Sequence, residues 1–267
     1  MRGLRDYKYH ERAARFHRDK EASEHTFVRG RNDRVFVICD HASNRIPLSY
    51  YRLELDPEHL DTHIAYDIGA AATAKWLCRR FQCSGIFAGT SRLVVDLNRP
   101  LNHPGAMPEE SGGIRIPGNA NLSDEERALR ADTFYTPYHE ALAAALDARP
   151  DAFVISVHSF TPQNPNGSYR VTDIGLLAKE DADGGDMSAA VAFRDALPPE
   201  LMCDINKPYS AYDLNHTVDT HVIPRGLGHL VLEYRQDHVG AKQGPTLLSR
   251  LTHAALAPIL EARANKD

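Results

Sequence analysis

The chain has 267 residues, 42% of them hydrophobic, and a formal charge of -5, enough to bury a full core and most economically one α/β domain. So slight an acidity gives no broad electrostatic reason to expect nucleic acid or an anionic membrane as partner, and a small molecule is the expected partner instead. No apolar run is long enough to cross a bilayer and the basic, polar N-terminus lacks the apolar core of a secretory signal, so the cytoplasm is the expected location.

Residues 1–33 carry charges of both signs with little apolar periodicity, which predicts a solvated N-terminal arm ahead of a domain over 34–267. Residues 35–39 are apolar and end in Asp40 and His41, the pattern of a buried strand delivering a histidine to a loop that continues through Asn44 to Pro47. Asp56 followed by Pro57 has the form of a helix N-cap with proline at the first helical position, and that helix is expected to run to Phe81. On it His63 and Asp67, four apart, share a face, either as a metal-binding pair or as a salt-bridged surface.

Residues 84–89 read as a further short strand. Beyond it, an extended chain puts Arg92, Asp96 and Asn98 on one side and Arg99 on the other. An arginine with an asparagine makes a carboxylate clamp, because the guanidinium reaches both oxygens while the amide donates to one; an internal Arg92–Asp96 ion pair is the competing reading. Residues 101–122, rich in Gly, Pro and Asn, predict a long loop able to cover a site. Ser123 and Glu126 form a capping-box pattern for a helix reaching Ala148.

Residues 153–160 form a continuous apolar strand that brings up His158 beside Ser159. A strand over 171–178, a helix over 187–197 stopped by Pro198, a polar loop holding His216, His221 and Arg225, a strand running into Glu233, and a helix over 245–264 complete the chain. If the strands ending at His41, His158 and Glu233 lie parallel and adjacent, the three side chains meet at the carboxyl ends, where ligands of such sheets gather.

Two neutral imidazoles and one oxygen ligand make an open site for a single Zn2+, and a nearby carboxylate such as Glu233 can then move the proton of an attacking water. For the oxygen ligand, Asp67 is favoured by its charge and Asn44 by its place in the loop of His41. A serine nucleophile at Ser159 or Ser43 lacks the G-x-S-x-G elbow, and adjacent strand residues face opposite ways. The four scattered cysteines read as reduced thiols, with Cys39 inert inside a strand. No glycine pattern for cradling phosphate is present.

Taken together, Asp40-His41-Ala42-Ser43-Asn44, the run from Ser91 to Arg99, the run from Ser156 to Phe160 and Leu232-Glu233-Tyr234-Arg235 resemble the N-formylglutamate amidohydrolase family over roughly residues 35–239. The same blocks are more distantly similar to the zinc carboxypeptidase and succinylglutamate desuccinylase superfamily. The resemblance implies an α/β, single-domain fold of the phosphorylase/hydrolase-like kind, a mixed, mostly parallel sheet with helices on both faces. It implies His41 and His158 as zinc ligands, Asn98 and Arg99 with Arg92 as binders of substrate carboxylate or carbonyl, and Glu233 as general base. The implied reaction is hydrolysis of an N-formyl or other N-acyl amide of an acidic amino acid, N-formyl-L-glutamate first, with a place in histidine degradation. Asn44 departs from the carboxypeptidase pattern, which has Glu there. The two alternatives are a metallocarboxypeptidase-like peptidase, which needs an open groove, and a metal-free protein that binds acidic amino-acid derivatives.

Overall fold

The computed structural model describes residues 25–164, 166–240 and 246–264. No helix among them is long and apolar enough to cross a membrane. The strands, in chain order, are β1 (His25–Val28), β2 (Asn32–Cys39), β3 (Cys83–Ala88), β4 (Glu110–Ser111), β5 (Ile114–Arg115), β6 (Phe153–Phe160), β7 (Ile174–Leu177), β8 (Cys203–Ile205) and β9 (His229–Arg235). β4 and β5 make a small hairpin, and the other strands make one sheet in the order β1-β3-β2-β6-β9-β7-β8. β3, β2, β6 and β9 run parallel, while β1 joins β3 and β7 joins β9 antiparallel.

Period-2 alternation divides the core between two layers. From β2, Phe36 and Ile38 face one layer and Val35, Val37 and Cys39 the other. The first layer is closed by the helix pair α2 (Asp124–Arg130) and α3 (Thr136–Asp147), through Tyr138, Leu142 and Leu146. The second is closed by α1 (Ala70–Phe81), α4 (Met187–Asp195) and, beyond α5 (His216–His221) and α6 (Gln236–Val239), by α7 (Leu247–Ala264). In α1 the buried residues Ala70, Ala74, Leu77 and Cys78 fall on one helical face, which is why this stretch is helical and docks on the sheet. Mixed sheet and helices on both faces agree with the sequence reading. The expected helix over 123–148 also forms, opened by the Ser123–Glu126 capping box and relaxed by one π-type turn at Ala131–Tyr135 just before Pro137.

Three expectations need correction. Of the proposed arm over 1–33, residues 1–24 lie outside the described residues, but His25–Val28 form an edge strand and Asn32 opens β2. The edge strand's backbone ladder to β3 sets Phe27 opposite Ile86, and the Phe27 ring also packs near Phe36, so this part of the charged stretch joins the sheet edge. The helix expected from Pro57 to Phe81 is broken: Pro57–Asp61 is a 3-10 turn, residues 62–69 are turns and bends, and the α-helix starts only at Ala70. The break follows from Gly69, whose φ is +83° and whose added Cβ would stand 2.0 Å from the Val239 carbonyl oxygen. His63 and Asp67 therefore share no helix face. Finally, residues 91–99 are coiled into turns, not extended, since Leu93, Val94 and Val95 are all buried, which no alternating strand achieves with one face open.

Gly69→Ala is expected to cost at least about 1–2 kcal/mol from the left-handed backbone alone, with the clash against residue 239 added. Thermal unfolding of the purified variant should show a clear fall in midpoint, and an unchanged midpoint would contradict this account of the helix start.

Candidate metal and catalytic site

β2 lies between β3 and β6, so the chain turns one way after β2 and the other way into β6, which makes the carboxyl end of β2 a topological switch point. His41 sits just past β2, and His158 and Glu233 are register partners on β6 and β9. Alternation puts those two on the face of Val154 and Val231 and sends Ser159 to the other. The imidazole rings of His41 and His158 are 5.1 Å apart, centroid to centroid.

Asp67 completes the group. Its Oδ2 lies 3.4 Å from His41 Nδ1 and 3.1 Å from His158 Nδ1, and one ligand atom from each of the three buried residues falls within 4.8 Å of the others. The chain break described above delivers this carboxylate: the Asp67 amide donates to the His41 carbonyl oxygen at 3.0 Å, and Oδ2 accepts from the Ser159 amide at 3.2 Å. Behind the group, His41 Nε2 is 2.8 Å from Asp96 Oδ1, and His158 Nε2 lies 3.2 Å from Ser156 Oγ and 3.6 Å from Asp40 Oδ2. Oxygens stand at both distal nitrogens, the outer support that histidine ligands of metal ions usually have. Without a cation the protonated His41 donates from Nδ1 to Asp67, and as neutral imidazoles both rings can turn Nδ1 lone pairs to a cation beside that carboxylate. The residues present therefore fit a divalent cation held by His41, Asp67 and His158.

The remaining candidates divide. Glu233 is buried, its Oε2 has no hydrogen-bond partner among the described residues, and it lines the same cavity of about 200 Å3. Asn98 and Arg99 line it too. The Asn98 carbonyl oxygen accepts from the Thr217 amide at 2.9 Å, which leaves its NH2 as the free end. Arg92 also lines the cavity, but it is bound by Asp96 at 2.7 and 3.1 Å and by Asp67 at 3.4 Å, so the ion-pair reading describes it. Asn44 is turned away, donating to the Leu60 carbonyl oxygen at 2.9 Å and to Asp61 at 3.1 Å, and it does not line the cavity. His63 stands in the cavity wall, exposed on its outer side. Its imidazole abuts Gly112 in the turn of the β4–β5 hairpin, but no residue of the long loop over 101–122 lines the cavity. The Ser159 hydroxyl donates to the Ile68 carbonyl oxygen at 2.8 Å and touches no histidine, which removes the geometry a serine nucleophile would need. Cys39 points into the second core layer, and burial pushes its thiol well above the usual range. His216 and His221 join Tyr135 and His139 in a separate, partly buried cluster outside the cavity.

Sequence reasoning passed over Asp96 as support for a histidine. The signal was present in its position between two arginine-bearing turns, but only the coiled backbone shows which partner it takes. It also passed over Tyr209 and Phe160, aromatic residues of the cavity wall.

Electrostatics follow from burial. Desolvation and the Arg92 cation depress the His41 imidazole, yet Asp96 and Asp67 outweigh them and hold it up at about 9. Burial opposes ionisation of Asp67 and Asp96, but the imidazoles and Arg92 keep both well below the usual carboxylate range. Glu233, with burial dominant over the attraction of His158, is raised from 4.5 to about 7. The site thus contrasts two firmly ionised carboxylates with one poised near neutrality.

The sequence matches the family model for N-formylglutamate amidohydrolase over residues 33–239, and the chain belongs to that family. No curated protein matches it. A crystal structure of a gene product from Agrobacterium tumefaciens is similar at 32% identity and a TM-score of 0.79, covering 88% of this chain and 95% of that one. The N-formylglutamate amidohydrolase of Ralstonia eutropha shares the fold at a TM-score of 0.64 and 18% identity, over 91% of this chain and 99% of that one.

Two outcomes are expected. Asp96→Asn should lower affinity for a divalent cation about 10–100-fold, as loss of an outer-shell partner does, read by metal titration. In metal-free protein, Glu233 and His41 both hold protons more tightly folded than unfolded. Stability should therefore fall as pH rises from about 4.5 through 7 for Glu233 and from about 6.5 through 9 for His41. Below about pH 6.5 the depressed imidazoles such as His139 offset the Glu233 loss, so thermal midpoints should decline from about pH 7 to 9. The midpoint advantage of wild type over Glu233→Gln should shrink as pH rises from about 5 to 7.

Proposed function

We propose that this chain hydrolyses the N-acyl amide of an acidic amino acid, N-formyl-L-glutamate in the first instance, to the free amino acid and formate, with one Zn2+ per chain. Family membership supports the reaction class. The single observation that carries the chemistry is the convergence of His41, Asp67 and His158 beside a buried carboxyl group, Glu233, raised to about 7.

The cation would be held by His41 Nδ1, His158 Nδ1 and an Asp67 oxygen, and it would supply Lewis acidity that polarises the acyl carbonyl and eases deprotonation of water. Glu233 does the proton work. Its unpartnered Oε2 accepts the proton of the attacking water as the new C–O bond forms at the formyl carbon. Glu233, now a carboxylic acid, then gives that proton to the amide nitrogen as the C–N bond breaks, so its carboxylate is restored and amine and formic acid leave. The acid's proton passes to the amine to give ammonium and formate. Arg99 and the free NH2 of Asn98 hold a substrate carboxylate in the cavity, a pairing of charge and fixed amide that orients the scissile bond. Arg92 stays engaged with Asp96 and Asp67 and keeps those carboxylates ionised.

A peptidase would need an open groove. Here the cavity, at about 200 Å3, is smaller than the roughly 300–1,000 Å3 common for drug-sized ligands. A small N-acyl amino acid suits it better than a peptide.

The test is formate release from N-formyl-L-glutamate by zinc-loaded protein, with metal content measured in parallel. Glu233→Gln should keep its metal and lose about 10²–10⁴-fold in kcat. Full activity in that variant, or wild-type protein that holds zinc and cleaves no N-acyl amino acid, would refute the proposal.

A further inference from the structure

An acidic N-acyl amino acid carries two carboxylates, and the cavity must answer both. Of the cations around it, Arg92 already serves Asp96 and Asp67. Arg99 lines the cavity and forms no ion pair among the described residues. One uncommitted cation leaves one carboxylate unmatched.

Arg170 is not itself a lining residue, but its guanidinium sits against the aromatic part of the cavity wall. Its guanidinium lies 5.5 Å from the Phe160 ring centre and 5.3 Å from that of Tyr209, and these are the two aromatic residues of the cavity wall. Its Nε and Nη1 atoms are buried and have no hydrogen-bond partner among the described residues. Buried guanidinium N–H groups left unpaired are costly, and a protein that retains them commonly does so for a ligand.

The backbone that carries Arg170 is tied down by a neighbouring arginine. Arg235, itself buried, donates from Nη1 to the carbonyl oxygens of Arg170, Val171 and Thr172 at 3.0, 3.3 and 3.2 Å. Its Nη2 pairs with Asp173 at 2.9 Å and its Nε with Asp237 at 2.9 Å. Arg235 is thus spent on structure two residues after Glu233, and what it secures is the segment that presents Arg170. The two aromatic rings leave the guanidinium little rotational freedom, so little entropy is lost when it meets an anion.

We propose that Arg170 binds the second carboxylate of the substrate and makes the site selective for N-acyl dicarboxylic amino acids over their uncharged counterparts. This rests on the reading that the cavity takes an N-acyl acidic amino acid, and it assigns the charge recognition to a residue outside the Asn98–Arg99 pair.

The experiment compares zinc-loaded wild type with Arg170→Met and Arg170→Lys. Two quantities are read: the ratio of kcat/KM for N-formyl-L-glutamate over N-formyl-L-glutamine, and the ratio of affinities for glutarate over butyrate by calorimetry. Wild type should favour the doubly charged probe in both. Arg170→Met should cut each ratio at least about tenfold, with the loss in KM and not in kcat, as removal of a charge-assisted contact requires. Arg170→Lys, which keeps the charge without the planar fork, should fall between and serves if the methionine variant does not fold. Ratios unchanged in both variants, or a wild type indifferent to the second carboxylate, would overturn the assignment. Wild type that hydrolyses neither formyl compound would sink the proposed reaction, while the glutarate comparison would still decide on Arg170.

Discussion

The carboxylate of Asp67 is the constraint around which the rest is arranged. An ionised carboxylate out of water costs several kcal/mol unless its oxygens are matched, and Asp67 is matched by His41, His158, Arg92 and the Ser159 amide. Those partners come from three separate stretches of chain. Its place also dictates local structure, because a continuous helix from Pro57 would carry the side chain elsewhere. The helix breaks, residues 62–69 turn across the end of β2, and Gly69 accepts a backbone conformation and a closeness to residue 239 that no side chain tolerates. With Asp96 also ionised and only Arg92 permanently cationic beside it, the group favours either protonated imidazoles or a bound cation.

The sheet turns this local cluster into a site. Parallel neighbours separated by about 4.8 Å put His158 and Glu233 side by side in register, and the switch point beside β2 opens the space into which they project. Strand alternation then sorts roles without further help. His158 and Glu233 face the cavity layer, whereas Ser159 is consumed in holding Ile68.

Several side chains of the family blocks maintain structure more than they touch the cavity's contents. Arg92 neutralises two carboxylates, Arg235 fastens three successive carbonyls, and the Asn98 oxygen is tied to Thr217. The useful distinction among the polar residues near the cavity is whether their hydrogen-bonding capacity is already taken. Glu233, Arg99, the Asn98 NH2 and, against the aromatic wall, Arg170 are the ones with capacity left, and a substrate with one scissile amide and two carboxylates would use all four.

Much of this was legible in the linear chain. Runs of apolar residues 35–39 and 153–160 end in histidines because a strand covered on both faces has no other reason to become polar abruptly, and so β2, β6 and β9 with the residues at their ends could be read directly. The Ser123–Glu126 capping box was equally local. Helical periodicity misled over 57–69, since the pattern of apolar residues there is compatible with a helix and the competing demand, a carboxylate required 26 residues from His41 in the chain but beside it in space, is nonlocal. The same limit applies to the choice between Asn44 and Asp67, to the commitment of Arg92, and to Arg170, which has no distinguishing neighbour in sequence. Strand identity and the chemistry at strand ends depend on short-range patterning, which the sequence by itself determined; which polar groups find partners depends on where distant segments cross, and only the tertiary structure decided that.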